Sequence, residues 1–523
     1  MRRGRRRDPS AGLVYGFPPA IAVGVLVGEG LGPASARGFL VAAVLVLLAA
    51  TRAGSGWRAV LVLVGLALLA CGLERRALDG LVHSALTRPI ADRADAEIRG
   101  RLVGDPDGSR WTTRVLVRVD DARLVGRASG AAVATPDRGR VIQVGRTVLV
   151  VASDGAASRL VVLSSGDRVT LVGWLRPLDG FDRRWRWRHA VARFDARDLR
   201  AASSSSAPID SIANMARGAV LRGADLLPAT ERALVAGFLV GDTRDLPDDV
   251  LAQFRDAGLS HLLAVSGANL AFVLALVGPV LRRLRRSPRL VAIVAVVAIF
   301  GAMTRWEPSV LRAGAMVSVA VFAAHIGRPA RGVRVLALAV SGLLLVDPFL
   351  LHSVGFGLSV GATLGITLLA APCARRLRGP RWLRDSLGTT LAAQVGVLPV
   401  LVPVFGSLPL VSIPANLLAV PLAAPLTIWG LVAGAAAGVL APPAPGIAEV
   451  LQIPTLVLAD GVLGIASAAA TVPLAVDAEA LGVAIVGAGA IAAAVGMVRA
   501  TRRDRRMLAR RGADQPSQRL PAR

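Results

Sequence analysis

The sequence predicts a polytopic α-helical membrane protein of about 12 transmembrane helices with an inserted small β-barrel domain. Three observations carry that prediction. Hydrophobic residues fill 54% of the 523 positions and the mean hydropathy is +0.58, too apolar for an ordinary soluble chain. Apolar runs of about 17–25 residues recur, the length a bilayer demands of a helix. Between residues 88 and 200 the pattern changes to short alternating segments.

Residues 1–87 hold three spans, near 13–30, 36–50 and 57–73. MRRGRRR, followed by apolar sequence without a small-residue cleavage site, reads as a retained signal-anchor. In 88–200, IRGRLVGD (98–105), TTRVLVRVDDARLVG (112–126), RTVLVVASD (146–154) and DRVTLVGWLRPL (167–178) belong to about five strands separated by Gly, Asp and Pro turns, which suggests a small barrel of OB type. Residues 201–230, with Ser203–Ser206, read as a linker. The segment 231–258 is amphipathic, interrupted at Gly241-Asp242, and is expected along the surface. Nine further spans follow within a 231–500 channel domain: about 260–281, 288–303, 308–326, 333–346, 353–371, 387–403, 422–441, 448–470 and 480–498, with room for a re-entrant segment in 404–480. Residues 501–523 form an arginine-rich tail.

Arginine orients the spans. The formal charge of +26 contains no lysine, and much of the arginine sits in short loops where the positive-inside rule places it without any nucleic acid. RRLRRSPR (282–289), GRPARGVR (327–334) and CARRLRGPRWLRDS (373–386) carry five, three and five arginines and alternate with arginine-poor loops such as DPFLLHS. Placing them in the cytoplasm also puts both termini there and the barrel outside.

GLSHLLAVSGANLAFV (258–273) opens an apolar run yet carries His261, Ser266, Gly267 and Asn269. At about 100° per residue, His261 and Asn269 lie about 80° apart and Ser266 about 140° from His261. Either one polar face results, or the helix breaks at Ser266-Gly267 and exposes backbone groups; both arrangements can line a cavity. The alternative is a set of interhelical hydrogen bonds. Gln394 and Asn416 are lone intramembrane amides flanked by prolines, which suggests broken helices. Arg312 lies about one turn inside a span, placed to snorkel or to attract phosphate. GLSVG (357–361) has the G-x-S-x-G form of a serine nucleophile, which would make an intramembrane hydrolase. It sits within an apolar helix, however, and Gly357, Gly361 and Gly365 repeat every four residues, the spacing for close helix packing. In FDRRWRWRH (181–189), Phe181, Trp185 and Trp187 interleave with Arg183, Arg184, Arg186 and Arg188, a mixture that suits single-stranded nucleic acid or an interfacial belt at the lipid.

Other chemistry is not indicated. Without lysine there is no Walker A loop. The five histidines are never closer than 27 residues and no metal-ligand spacing occurs, so no metal and no cofactor is expected. Cys71 and Cys373 fall at span ends on opposite faces, poor disulfide candidates.

LVGDTRDLPDDVLAQFRDAGLSHLLAVSGANLAFV (239–273), PSVLRAGAM (308–316), DPFLLHSVGFGLSVGATLGI (347–366) and AAQVGVLPVLVPVFGSLPLVSIPANLLAVPL (392–422) together resemble the ComEC family of bacterial competence proteins, in family order and at family-like spacing. Residues 88–200 look like that family's extracellular OB-like domain. The resemblance implies a channel passing single-stranded DNA through the cytoplasmic membrane, not an enzyme. His261, Ser266, Gly267, Asn269, Gln394 and Asn416 are then the lining or gate; Arg312 and residues 183–188 would hold DNA. It implies partners as well: membrane lipid, a DNA receptor, a cytoplasmic motor or strand-binding protein, and a second copy of the chain as a homodimer. Members often carry a histidine where this chain has Asn269. Many also carry a C-terminal metallo-β-lactamase-like domain; this chain ends before it, which implies a separate nuclease. A secondary permease for a small anionic solute is the alternative built on the same midplane polar groups.

Overall fold

Residues 94–203 close into a barrel of five strands, and the helices before and after them pack into a bundle beside it. The structure, a computed structural model, describes residues 13–31, 35–108, 111–127, 141–205, 207–328, 332–472 and 475–477. The expected span at 480–498 and the tail lie outside these residues.

The barrel strands are β1 (Ala94–Leu102), β2 (Thr112–Arg127), β3 (Val141–Ser153), β4 (Arg168–Arg176) and β5 (Ala190–Ser203). β1 pairs antiparallel with both β2 and β4, β2 with β3, and β4 with β5, while β3 and β5 run parallel. The closed order is therefore β1-β2-β3-β5-β4-β1. Alternation along β1 and β4 turns Ile98, Leu171 and Leu175 inward, where they meet Val117, Val148 and Phe194. Closure needs bends, and two glycines supply them. Gly100 and Gly173 sit at register shifts where a methyl group would stand 2.3 Å and 2.1 Å from the carbonyl oxygens of Arg118 and Asp195.

Before the barrel come α1 (Phe17–Gly30), α2 (Ala36–Arg52) and α3 (Ser55–Val82). A helix α4 (Asp154–Leu160) lies between β3 and β4. After the barrel follow α5 (Pro208–Ala224), α6 (Ala229–Val240), α7 (Asp248–Asp256), the one-turn α8 (Ser260–Leu263), α9 (Gly267–Leu281), α10 (Arg286–Met303), α11 (Pro308–His325) and α12 (Gly332–Val346). The last four are α13 (Val354–Arg376), α14 (Arg381–Phe405), α15 (Ser412–Leu440) and α16 (Pro445–Ala470).

Among the described residues seven helices are long and apolar enough to cross a membrane, and three apolar helices are shorter: Val14–Gly30, Gly267–Leu281 and Gly332–Val346. The described residues alone thus do not reach the count of 12 on length and composition, one of the expected spans lying outside them. α15 and α16 fill the weakly charged region as two long helices rather than a re-entrant segment.

Three expectations need correction. The linker 201–230 contains α5, whose Gly223 lies so close to α15 that a methyl group there would stand 2.0 Å from the Gly434 oxygen. The first part of the segment 231–258 does not lie along the surface: Ala233–Val240 of α6 are all buried, whereas α7 is amphipathic and buries only Val250 and Phe254. Its periodicity misled because two helices of different character, α6 and α7, meet at Gly241, which caps α6 at φ +74°. The prolines near Gln394 and Asn416 do not break helices. Pro399 and Pro403 stay inside α14, and Pro421 and Pro425 inside α15, as happens where neighbours re-satisfy the freed carbonyls.

Glycine spacing in GLSVG does set packing. A methyl group on Gly361 would lie 2.4 Å from the Gly396 oxygen of α14, and one on Gly365 2.2 Å from the Ala392 oxygen.

Candidate functional site

The polar residues of the helical unit gather into two clusters. The chain breaks at Ser266, whose extended backbone (φ −92°, ψ 158°) precedes α9, and Ser266 makes no side-chain bond to the first N–H groups of that helix. Its hydroxyl instead donates to Asn269 Oδ1 at 2.9 Å, and Asn269 Nδ2 donates to the Phe238 carbonyl of α6 at 2.9 Å. Asn269 is thereby buried against α6. On the other side of the break stands α11. Ser309 Oγ donates to the Val265 carbonyl, and Gly267 leaves room for Arg312: a methyl group on it would lie 2.8 Å from Nη2.

Arg312 is 9% exposed. Its Nε donates to Ser359 Oγ of α13 at 2.8 Å and its Nη1 faces the Met316 sulfur at 3.2 Å. Among the described residues no carboxylate pairs with it. A buried guanidinium and an uncapped helix N-terminus, both electropositive, thus face one place without a counter-ion.

The second cluster joins His261, Gln394 and Asn416 through Ser412. Gln394 Nε2 donates to Ser412 Oγ at 3.0 Å, and Asn416 Nδ2 to the Ser412 carbonyl at 2.7 Å. His261 lies on α8 beside the Gly258 backbone and the Asn416 side chain. Gly258, at φ +67°, comes so near α15 that a methyl group there would stand 2.4 Å from Ser412 Cβ. The six expected lining residues therefore divide, three to each cluster. Ser412, Ser309 and Ser359 complete the clusters. The first two carry no local sequence signal, since serine is unremarkable in a helix.

Residues 180–188 form a 3₁₀ turn with two faces. Trp187 stacks on His352 with ring centroids 3.7 Å apart, and Arg186 lies 3.8 Å from Glu29 of α1. This face docks on the bundle. The other face turns Phe181 outward: Arg184 covers its ring, 67% exposed, at 3.4 Å, and Arg184 and Arg188 flank the half-buried Trp185 at 5.7 and 5.6 Å. Arg183 is exposed as well.

A third cluster, missed in the sequence, fixes the barrel to the bundle. Arg217 of α5 lies 3.0 Å from both Asp105, in the β1–β2 connection, and Asp242. Arg305 reaches Asp105 at 2.7 Å and Asn214 at 2.8 Å, and Arg244 bonds the Pro106 carbonyl at 3.1 Å. Burial alone would raise the Asp105 carboxyl; Arg217 and Arg305 overcome it and hold the group below the ordinary carboxylate range. Asp242 follows the same pattern, with Arg244 as the main opponent of burial. At the neighbouring turn, burial pushes Glu307 up, and Arg188 opposes it.

Arginine and polar amides packed among apolar helices, with a closed barrel clamped to them, define a multi-pass membrane protein built around internal polar stations. A family profile described as Competence protein matches residues 238–503, just over half of the sequence, and the chain belongs to that family. It is similar to ComE operon protein 3 of Bacillus subtilis (strain 168), 29% identical over 221 residues, which are 41% of this chain and 27% of that protein. It is also similar to the uncharacterized protein YcaI of Escherichia coli (strain K12), 26% identical over 224 residues, 39% of this chain and 29% of that protein. Each alignment thus spans less than a third of the relative's length. No solved structure matches the chain at a significant level.

Proposed function

We propose that this chain is the channel through which single-stranded DNA crosses the bacterial cytoplasmic membrane during transformation, and that it performs no covalent chemistry. Arg312 carries this reading. A phosphate would supply the charge that the buried guanidinium lacks, and the first N–H groups of α9 would share it. Strand order, the parallel β3–β5 pair and a helix between β3 and β4 support assigning the barrel to the oligonucleotide-binding type. In such barrels the β1–β2 and β4–β5 connections hold the ligand. Here both run onto the bundle, through Asp105 and through the 180–188 turn. With the barrel outside and both termini in the cytoplasm, DNA would pass from Phe181, Arg183 and Arg184 toward Arg312, then along His261, Gln394 and Asn416. A DNA receptor, a cytoplasmic motor or strand-binding protein, a separate nuclease and a second copy of the chain are the partners this reading needs.

The test is transfer of labelled DNA into the cytoplasm of cells whose only copy is Arg312→Gln. A loss of about tenfold or more is expected, the worth of one charge-assisted hydrogen bond. Undiminished transfer, with the protein present at normal abundance, removes the reading.

A further inference from the structure

Arginines face each other across three adjacent barrel strands. Arg101 of β1 stands directly opposite Arg118 of β2 on one side and Arg168 of β4 on the other. All three are exposed, and directly opposed residues share one face of a sheet with Cβ atoms about 5 Å apart. Like charges in that relation destabilise a sheet. Neighbouring rungs of the same wall balance their charges: Glu97 lies 3.6 Å from Arg99 and 2.6 Å from Arg200, and Asp95 lies 3.9 Å from Arg197. Among the described residues the three arginines of the row have no carboxylate partner.

The row lies at the end of β1 that is clamped to the bundle. Leu102, next to Arg101, bonds Gly166 and Asp167 through its backbone. Asp167 accepts from the Ser205 N–H at 3.1 Å, and the Ser165 carbonyl accepts from Asn214 Nδ2 of α5 at 3.0 Å. α5 therefore begins beside Arg168. It gives Asn214 and Arg217 to the barrel and turns Ile209, Ile212 and Met215 outward, all exposed. Residues three apart are neighbours on a helix surface, so these form an apolar stripe.

An unpaired basic row next to an exposed apolar stripe is the arrangement with which a protein surface meets anionic lipid, the stripe entering the hydrocarbon boundary and the arginines meeting phosphates. Single-stranded nucleic acid fits the row poorly, because it is held by rings that stack on bases. The residues flanking the row are Thr170, Thr147 and Ser203, and the exposed ring of Phe181 follows the other end of β4. We propose that Arg101, Arg118 and Arg168 form a docking surface for anionic phospholipid headgroups, with Ile209, Ile212 and Met215 as its apolar border. Headgroup phosphates supply the negative charge that the three strands do not place in the row. The bilayer thereby relieves the repulsion among the arginines and holds this end of the barrel against itself. The surface is separate from Arg312 and from the 180–188 turn, and its role is the same whatever the chain transports.

Arginine labelling by phenylglyoxal, read residue by residue by mass spectrometry on the full wild-type chain, tests this without a variant that could misfold. Nanodiscs of phosphatidylcholine are compared with the same discs containing phosphatidylglycerol. Labelling of Arg101, Arg118 and Arg168 should slow by about fivefold in the anionic discs, the worth of one arginine at an anionic surface. Labelling of Arg123, exposed further along β2, should stay unchanged. Unchanged rates in the row, or an equal slowing at Arg123, overturn the proposal. Two further arms use the phosphatidylcholine discs alone. Inorganic phosphate that slows the row as strongly as the charged lipid makes it a site for free anions. A single- or double-stranded oligonucleotide that slows it where phosphatidylglycerol does not gives it to nucleic acid. Either result removes lipid docking.

Discussion

Arg312 Nε donates to Ser359 Oγ at 2.8 Å, and this neutral hydroxyl is the only oxygen partner that the guanidinium has among the described residues. The pair ties α11 to α13 beside the break that opens α9. It also gives Ser359 a role without a nucleophile: its oxygen accepts a hydrogen bond from a cation.

A buried cation without a counter-ion contributes little to stability and costs desolvation. Arg312→Met, which keeps the volume and removes the charge, is therefore expected to leave thermal stability in detergent unchanged or raise it by about 1–3 kcal/mol. DNA transfer should fall in the same variant. Melting by intrinsic fluorescence checks the first half; a marked loss of stability would show that Arg312 is structural.

The barrel clamp behaves oppositely. Arg217→Met leaves Asp105 and Asp242 buried with Arg305 and Arg244 as their remaining partners, and should cost up to about 3–5 kcal/mol of stability. Both carboxyls are held below their ordinary value in the folded chain. Their contribution is then complete above that ordinary value, about 4, and is lost as pH falls through the depressed folded values. Acid should therefore loosen this junction. Hydrogen exchange of α5, followed across pH, measures this.

Much of this was legible residue by residue and little of it pair by pair. A polar side chain in an apolar run is conspicuous, so His261, Gln394, Asn416 and Arg312 stood out. That Ser412 joins the first three depends on how α14 and α15 cross, which no local pattern encodes. Gly361 and Gly365 were readable because small residues four apart have one common use. Asp105 and Arg217 were not, since charged residues in a turn and a linker look like solvated surface until the barrel docks. α6 was hidden for a related reason: a helix of 12 residues, apolar only from Ala233 to Val240, is too short for a span, and its neighbour α7 lent it a false amphipathic period.

The two-faced turn gives the sharpest division of roles. Phe181 and Arg184 touch each other and face solvent, whereas Trp187 is committed to His352 and Phe349. Phe181→Ala should weaken single-stranded DNA binding by about 1–3 kcal/mol, the worth of one stacked base, with no change in melting temperature. Arg184→Ala should weaken it and also reduce the salt dependence by about one phosphate contact. Trp187→Ala should leave the free face intact while undocking the turn, so that trypsin cuts at Arg186 and Arg188 sooner and affinity changes little. Fluorescence anisotropy with a labelled oligonucleotide, at two salt concentrations, measures all three. If Trp187→Ala loses affinity as strongly as Phe181→Ala, base stacking belongs to the docked face, and the assignment of the two faces is reversed.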